Sequence, residues 1–158
     1  QRQMCIRDRT ASDFAIVEAF VGLGMLLGTA TVYKIGHRFN HGTLFLLGLF
    51  IDGASFCLYY FVETMSQLNF LSCIHGIGIP FLIISRVSIM QKNIPEKLLG
   101  RIFAIISVSI LSMTAVSSGI IGFLAEFISI HEIFLLFGLL AGLCGIAGLL
   151  HPKIRYLN

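Results

Sequence analysis

The stretch IFAIISVSILSMTAVSSGIIGFLAEF, residues 102–127, holds one ionisable side chain, Glu126, next to its end. A continuous apolar run of this length exceeds the ~20 residues that cross the hydrocarbon of a bilayer as a helix. Four further runs of similar character lie at 14–33, 43–62, 69–90 and 133–150. The whole chain of 158 residues is 56% hydrophobic and 12% charged, against roughly 25% charged residues in an ordinary soluble domain. That composition excludes a soluble fold, and it also excludes a disordered chain, which needs low hydrophobicity and high charge. The fold class is therefore all-α: a polytopic transmembrane helical bundle of five spans within residues 10–158. The connections 34–42, 63–68, 91–101 and 128–132 are short. They predict antiparallel hairpins between consecutive spans and leave no room for a separate soluble domain.

Charge gives the bundle a sidedness. Lys34 and Arg38 lie in the first connection, Arg86, Lys92, Lys97 and Arg101 in or beside the third, and Lys153 and Arg155 after the last span. The second and fourth connections carry only Glu63, Glu126, His131 and Glu132 at or beside them. Positive charge marks cytoplasmic loops, so the first and third connections and the C-terminus are expected in the cytoplasm of a multi-pass plasma (inner) membrane protein. Tyr33, Tyr59, Tyr60 and Tyr156 are expected at the membrane interfaces, where amphipathic rings collect.

The first nine residues, QRQMCIRDR, stand apart. MCIRDR at Met4 to Arg9 resembles a translated transposon-end sequencing adapter, and no apolar signal-peptide core follows the arginines. Residues 1–9 are read as adapter-derived and non-native, and the remainder as a fragment of a longer protein. Cys5, Cys57, Cys73 and Cys144 show no metal-ligand spacing, and the last three are expected as small buried hydrophobes. Gly24 with Gly28 and Gly138 with Gly142 make GxxxG spacings, which let helix backbones approach closely. No clustered basic face is present, so nucleic acid is not an expected partner.

Two stretches carry a family resemblance. GLGMLLGTATVYKIGHRFNHGTLFLLGLF, residues 22–50, resembles the major facilitator superfamily's signature G-x-L-x-D-R-x-G-R-R around a cytoplasmic loop. Arg38 matches the family Arg, His37 takes the place of the usual Asp, and Tyr33 and Asn40 replace the two usual glycines. QKNIPEKLLGRIFAIISVSILSMTAVSSGIIGFLAE, residues 91–126, resembles the IP-E-x-L-x-GR-x-F segment of macrolide-efflux-like exporters in that superfamily. There Pro95 and Glu96 open a short amphipathic turn, and Gly100 and Arg101 lead into the span. The resemblance implies a twelve-helix major-facilitator fold of which these spans are helices eight to twelve. It makes His37, Arg38, Gly100 and Arg101 candidates for the cytoplasmic gate or signature loop.

Ionisable residues inside a membrane are costly and point to function. Glu18, in the outer third of the first span, borders the substrate cavity by resemblance; it is read either as a proton-coupling carboxylate or as a partly hydrated surface acid. His75 lies in SCIHGIGIPFLI, where a histidine can titrate near neutral pH or hydrogen-bond a neighbouring helix. Gly76, Gly78 and Pro80 beside it loosen the helix and predict a hinge. Asp52 is the deepest acid and by depth the first choice for coupling, whereas the resemblance places its helix away from the cavity and favours a helix-to-helix hydrogen bond. Arg86 is expected to snorkel. Ser112, Thr114, Ser117 and Ser118 either line a polar track or bond to carbonyls of their own helix.

The resemblance implies secondary active transport: proton-coupled efflux of amphipathic small molecules by a protein whose N-terminal half lies outside this chain, with the lipid bilayer, protons and a small-molecule substrate as partners. Five spans alone are expected to carry no flux. The alternative is a non-transporting structural or assembly membrane protein of five spans. An enzyme is not expected, since the five histidines are scattered, and neither a cofactor nor a metal is expected.

Overall fold

A computed structural model describes residues 11–156, so the adapter-like segment and Cys5 lie outside the described residues. Five long helices follow one another: α1 (Ala11–Ile35), α2 (His41–Tyr59), α3 (Met65–Asn93), α4 (Glu96–Leu124) and α5 (Ile130–Leu150); a single turn, α6 (Pro152–Arg155), ends the described chain. Each of the five is long and apolar enough to cross a membrane. The protein is an all-α bundle with no strand among the described residues.

The helix starts are written in local chemistry. At α3, Thr64 Oγ1 accepts from the Gln67 backbone N–H at 3.3 Å, while Gln67 Oε1 accepts from the N–H of Thr64 at 3.0 Å. At α5, Ser129 and Glu132 make the same reciprocal box, with the Ser129 N–H donating to Glu132 Oε2 at 2.8 Å. Each box satisfies two backbone groups that a helix start otherwise leaves open. They begin α3 and α5 at 65 and 130, ahead of the apolar runs that start at 69 and 133. Pro95 caps α4, whose helix starts at Glu96 and runs unbroken into the membrane. The expected separate turn before residue 102 is absent, because Gly100 and Arg101 take helical geometry in the first turns of that same helix. At the other extreme, α2 stops at Tyr59 rather than at 62, followed by a short irregular link to Thr64.

Packing order differs from chain order. The extensive contacts are α1 on α3, α3 on α2 and α2 on α5. Of the consecutive pairs, only α2 and α3 pack along their length among the described helices, so the expected succession of packed hairpins is replaced by a row α1, α3, α2, α5. Glycines decide where the row closes. A Cβ at Gly24 would strike the Cys73 carbonyl and lie 2.9 Å from Gly76 Cα, and one at Gly76 would strike the Val21 carbonyl. Across the other seam, a Cβ at Gly53 would overlap the Gly142 backbone, and one at Gly138 would meet Cys57 N at 2.5 Å. These are backbone-to-backbone contacts of the small-residue kind that holds helices together in lipid. Gly78 packs on the Ile51 side chain and the Gly48 carbonyl.

Near one end, Val32, Leu44 and Phe81 form a buried cluster joined by Ile35, Ile77 and Ile84. At that end Thr43 Oγ1 donates to the Arg155 carbonyl at 2.9 Å, which fastens α6 to the start of α2. His41 lies within electrostatic reach of Lys92. The first connection, the third connection and the C-terminal turn therefore share one end of the bundle. Helix α4 is different: none of its residues is buried and its contacts with α3 are few.

Candidate functional site

The opposite end of the row opens into a cavity of about 290 Å³ between α1, α2, α3 and α5. Val17, Glu18 and Val21 come from α1, Phe56 and Tyr59 from α2, Leu68, Ser72 and His75 from α3, and Phe134 from α5. Helices α1, α2 and α3 contribute residues about one turn apart and α5 the Phe134 ring, so a single end of four helices builds the whole lining. Rings form one wall. Phe56 stacks on Phe134 at 5.7 Å between centroids and 22°, Tyr59 leans on Phe134 at 5.4 Å, and His75 meets Phe56 edge-on at 5.1 Å. Tyr59 is thus a cavity residue rather than only an interface ring, and its hydroxyl pairs with the fully buried Ser72 hydroxyl at 3.1 Å.

Behind the rings lies a polar unit that joins two helices. His75 Nδ1 is 3.1 Å from Asp52 Oδ1 and 3.2 Å from Ser55 Oγ. The Ser55 hydroxyl donates its one hydrogen to the Asp52 carbonyl at 2.7 Å, so toward His75 it can only accept. With Asp52 as the carboxylate, both neighbours of Nδ1 are acceptors and Nδ1 carries the ring proton. Both side chains of the pair are about one-fifth exposed.

The structure thus brings together Glu18 and His75 on one cavity, and it brings Asp52 to His75. A helix-to-helix hydrogen bond is one of the readings open for Asp52 and for His75, but a carboxylate at residue 52 and an imidazole at residue 75 do not name each other as partners until α2 and α3 are packed. The signal that could have raised Ser55, Tyr59 and Ser72 is their spacing on the faces of α2 and α3 that carry Asp52 and His75.

Other candidates lie elsewhere. His37 and Arg38 are exposed in the turn after α1, and Gly100 and Arg101 are exposed on α4. Gly76, Gly78 and Pro80 sit in an unbroken stretch of α3, and all three are buried. The glycines there make room for the backbones of α1 and α2, so the expected loosening of the helix is not seen in this arrangement. On α4, Thr114 donates to the Ile110 carbonyl, and Ser117 and Ser118 to the Thr114 carbonyl, all within their own helix. Cys57 and Cys73 are half-buried and Cys144 is exposed, against the expectation that all three are buried. Among the described residues no group of three or more His, Cys, Asp or Glu side chains is placed to hold a metal ion.

The family model of the Major Facilitator Superfamily matches residues 8–155. The chain belongs to the Major Facilitator Superfamily. Members of this superfamily are transporters, so the cavity belongs to a multi-pass protein of membrane transport, and a small molecule in a lipid setting is the chemistry to fit to it. Comparison with curated proteins and with solved structures returned no match.

Proposed function

We propose that this superfamily member is the C-terminal part, helices eight to twelve, of a longer plasma-membrane transporter of the macrolide-efflux-like branch. It exports amphipathic small molecules in exchange for protons, with its C-terminus in the cytoplasm. The observation that carries the reading is the Asp52–His75 pair beside the cavity lined by Glu18. A coupling group must change protonation within the membrane, and a paired acid and imidazole holds an exchangeable proton at lower cost than an isolated ion. The titratable groups around that proton are Asp52 and Tyr59 on α2, His75 on α3 and Glu18 on α1. The missing half is supported by α4, a 29-residue span with no buried residue in this chain. Residues 1–9 are read as adapter-derived, and His37, Arg38, Gly100 and Arg101 as parts of the cytoplasmic gate.

The test uses the full-length transporter in proteoliposomes with an imposed proton gradient, a fluorescent amphiphile such as Hoechst 33342 and a trapped pH dye. Gradient-driven dye movement with counterflow of protons is expected, reduced tenfold or more by Asp52→Asn and by His75→Ala at matched incorporation. Flux that persists unchanged in both variants would overturn the coupling assignment. No flux of any amphiphile by the complete protein would favour the structural or assembly role.

A further inference from the structure

The cavity joins two features that together select a ligand. Its walls are rings and aliphatic side chains from four helices, and its titratable lining is Glu18, Tyr59 and His75, the last with its Nδ1 turned to the Asp52 carboxylate, with no Lys or Arg. Glu18 is exposed on α1, so its carboxylate is open to whatever enters. Phe56, Tyr59 and Phe134 offer clustered π-faces, whose negative quadrupoles attract a cation at short range. The surroundings share the sign. Asp13, Glu63, Glu126 and Glu132 lie at this same end of the bundle, whereas every Lys and Arg of the described residues lies toward the opposite end. An end of the bundle that carries one sign of charge raises the local concentration of counter-ions. An anion would meet both Glu18 and the ring faces unfavourably. A neutral apolar molecule would gain nothing from the carboxylate.

We propose that this cavity is a binding site for lipophilic organic cations, a quaternary or protonated amine bearing an aromatic body, with Glu18 as the counter-charge and Phe56, Tyr59 and Phe134 as the wall on which the body and cationic head rest. The inference rests on the transport reading above and narrows its amphipathic substrate to one charge class. Its volume, about 290 Å³, lies just below the ~300–1,000 Å³ range of small-molecule sites, which suits a single-ring amine rather than a macrocycle.

Binding is read by isothermal titration of the chain in lipid nanodiscs, with empty nanodiscs subtracted, using benzyltrimethylammonium as the cation. The carboxylate 4-phenylbutanoate, of similar size, is the anionic probe, and benzyl alcohol the neutral one. Saturable binding of the cation is expected, with at least tenfold weaker binding of the other two. Glu18→Gln should weaken the cation at least fivefold and Phe134→Ala at least threefold, in keeping with cation–π and carboxylate contributions of about 1 kcal/mol each. Glu96→Gln, exposed at the opposite end of the bundle, should leave the affinity unchanged, and Glu18 is exposed, so its substitution does not threaten the fold. Equal affinity for cation and anion, or a cation affinity indifferent to Glu18→Gln, would overturn the proposal. No gradient is involved. Failure of cation binding beside intact proton-driven dye flux therefore sinks only the charge class, and intact binding beside absent flux sinks only the coupling.

Discussion

Helices α3 and α4 have the same length, 29 residues each, and both carry glycines and hydroxyl side chains, yet they live in different surroundings. On α3, the α1 backbone packs against Gly76, the Ile51 side chain and Gly48 carbonyl of α2 pack against Gly78, and Ser72 and His75 bond to partners on α2. On α4, a Cβ at Gly119 or Gly122 would meet nothing within 4 Å, and the hydroxyls of Thr114, Ser117 and Ser118 return to their own helix. The comparison teaches that a small or polar residue in a span acquires meaning from what faces it. In lipid there is no hydrophobic drive between helices, so close approach and interhelical hydrogen bonds set the packing.

The sharpest way to break the comparison is to fill the glycines. Gly76→Leu should unfold the α1–α3 contact and cost about 3 kcal/mol or more, since the obstacle is backbone and cannot swing aside. Gly119→Leu in the same chain should stay within about 0.5 kcal/mol. Reversible unfolding in mixed micelles measures both, and equal losses would show that α4 is packed after all.

A double-mutant cycle on the polar pair sharpens the same contrast. Asp52→Asn and His75→Ala are each expected to destabilise the chain, and the double variant should fall short of their sum by about 1 kcal/mol or more, as contacting groups do. Strict additivity would mean that the two side chains act separately. A hydroxyl on α4 gives the counterpart: Thr114→Val should cost about 0.5 kcal/mol or less, because its bond is local and serves no second helix.

The sidedness is tested by labelling rather than by stability. Ser66→Cys, in the first turn of α3, should react with an impermeant maleimide from outside the cell, and Asn40→Cys, before α2, should not. The reverse pattern would invert the bundle and put the cavity on the cytoplasmic side. Smallest of all, Thr43→Val should loosen the α6 turn by about 0.5–1 kcal/mol, the worth of one hydrogen bond. Faster amide exchange at Arg155 and Tyr156 is the readout.

Much of this protein was decided by the sequence alone. Five apolar runs fix five spans because the hydrocarbon core has a set thickness and leaves no alternative for an unpaired backbone. The one-sided Lys and Arg distribution groups the first and third connections with the C-terminus, and the folded chain places those segments at one end. Glu18 and His75 were both recognisable as costly ionisable residues within spans. The packing order α1, α3, α2, α5 was not legible, because apolar side chains look alike to lipid and to each other and the hydrophobic pattern names no partner. Tertiary structure therefore decided that Gly24 meets Gly76, that Tyr59 turns inward to Ser72, and that Asp52 and His75 form one unit. Each of those outcomes depends on distances of about 3 Å between residues far apart in the chain, which only the packed helices can set.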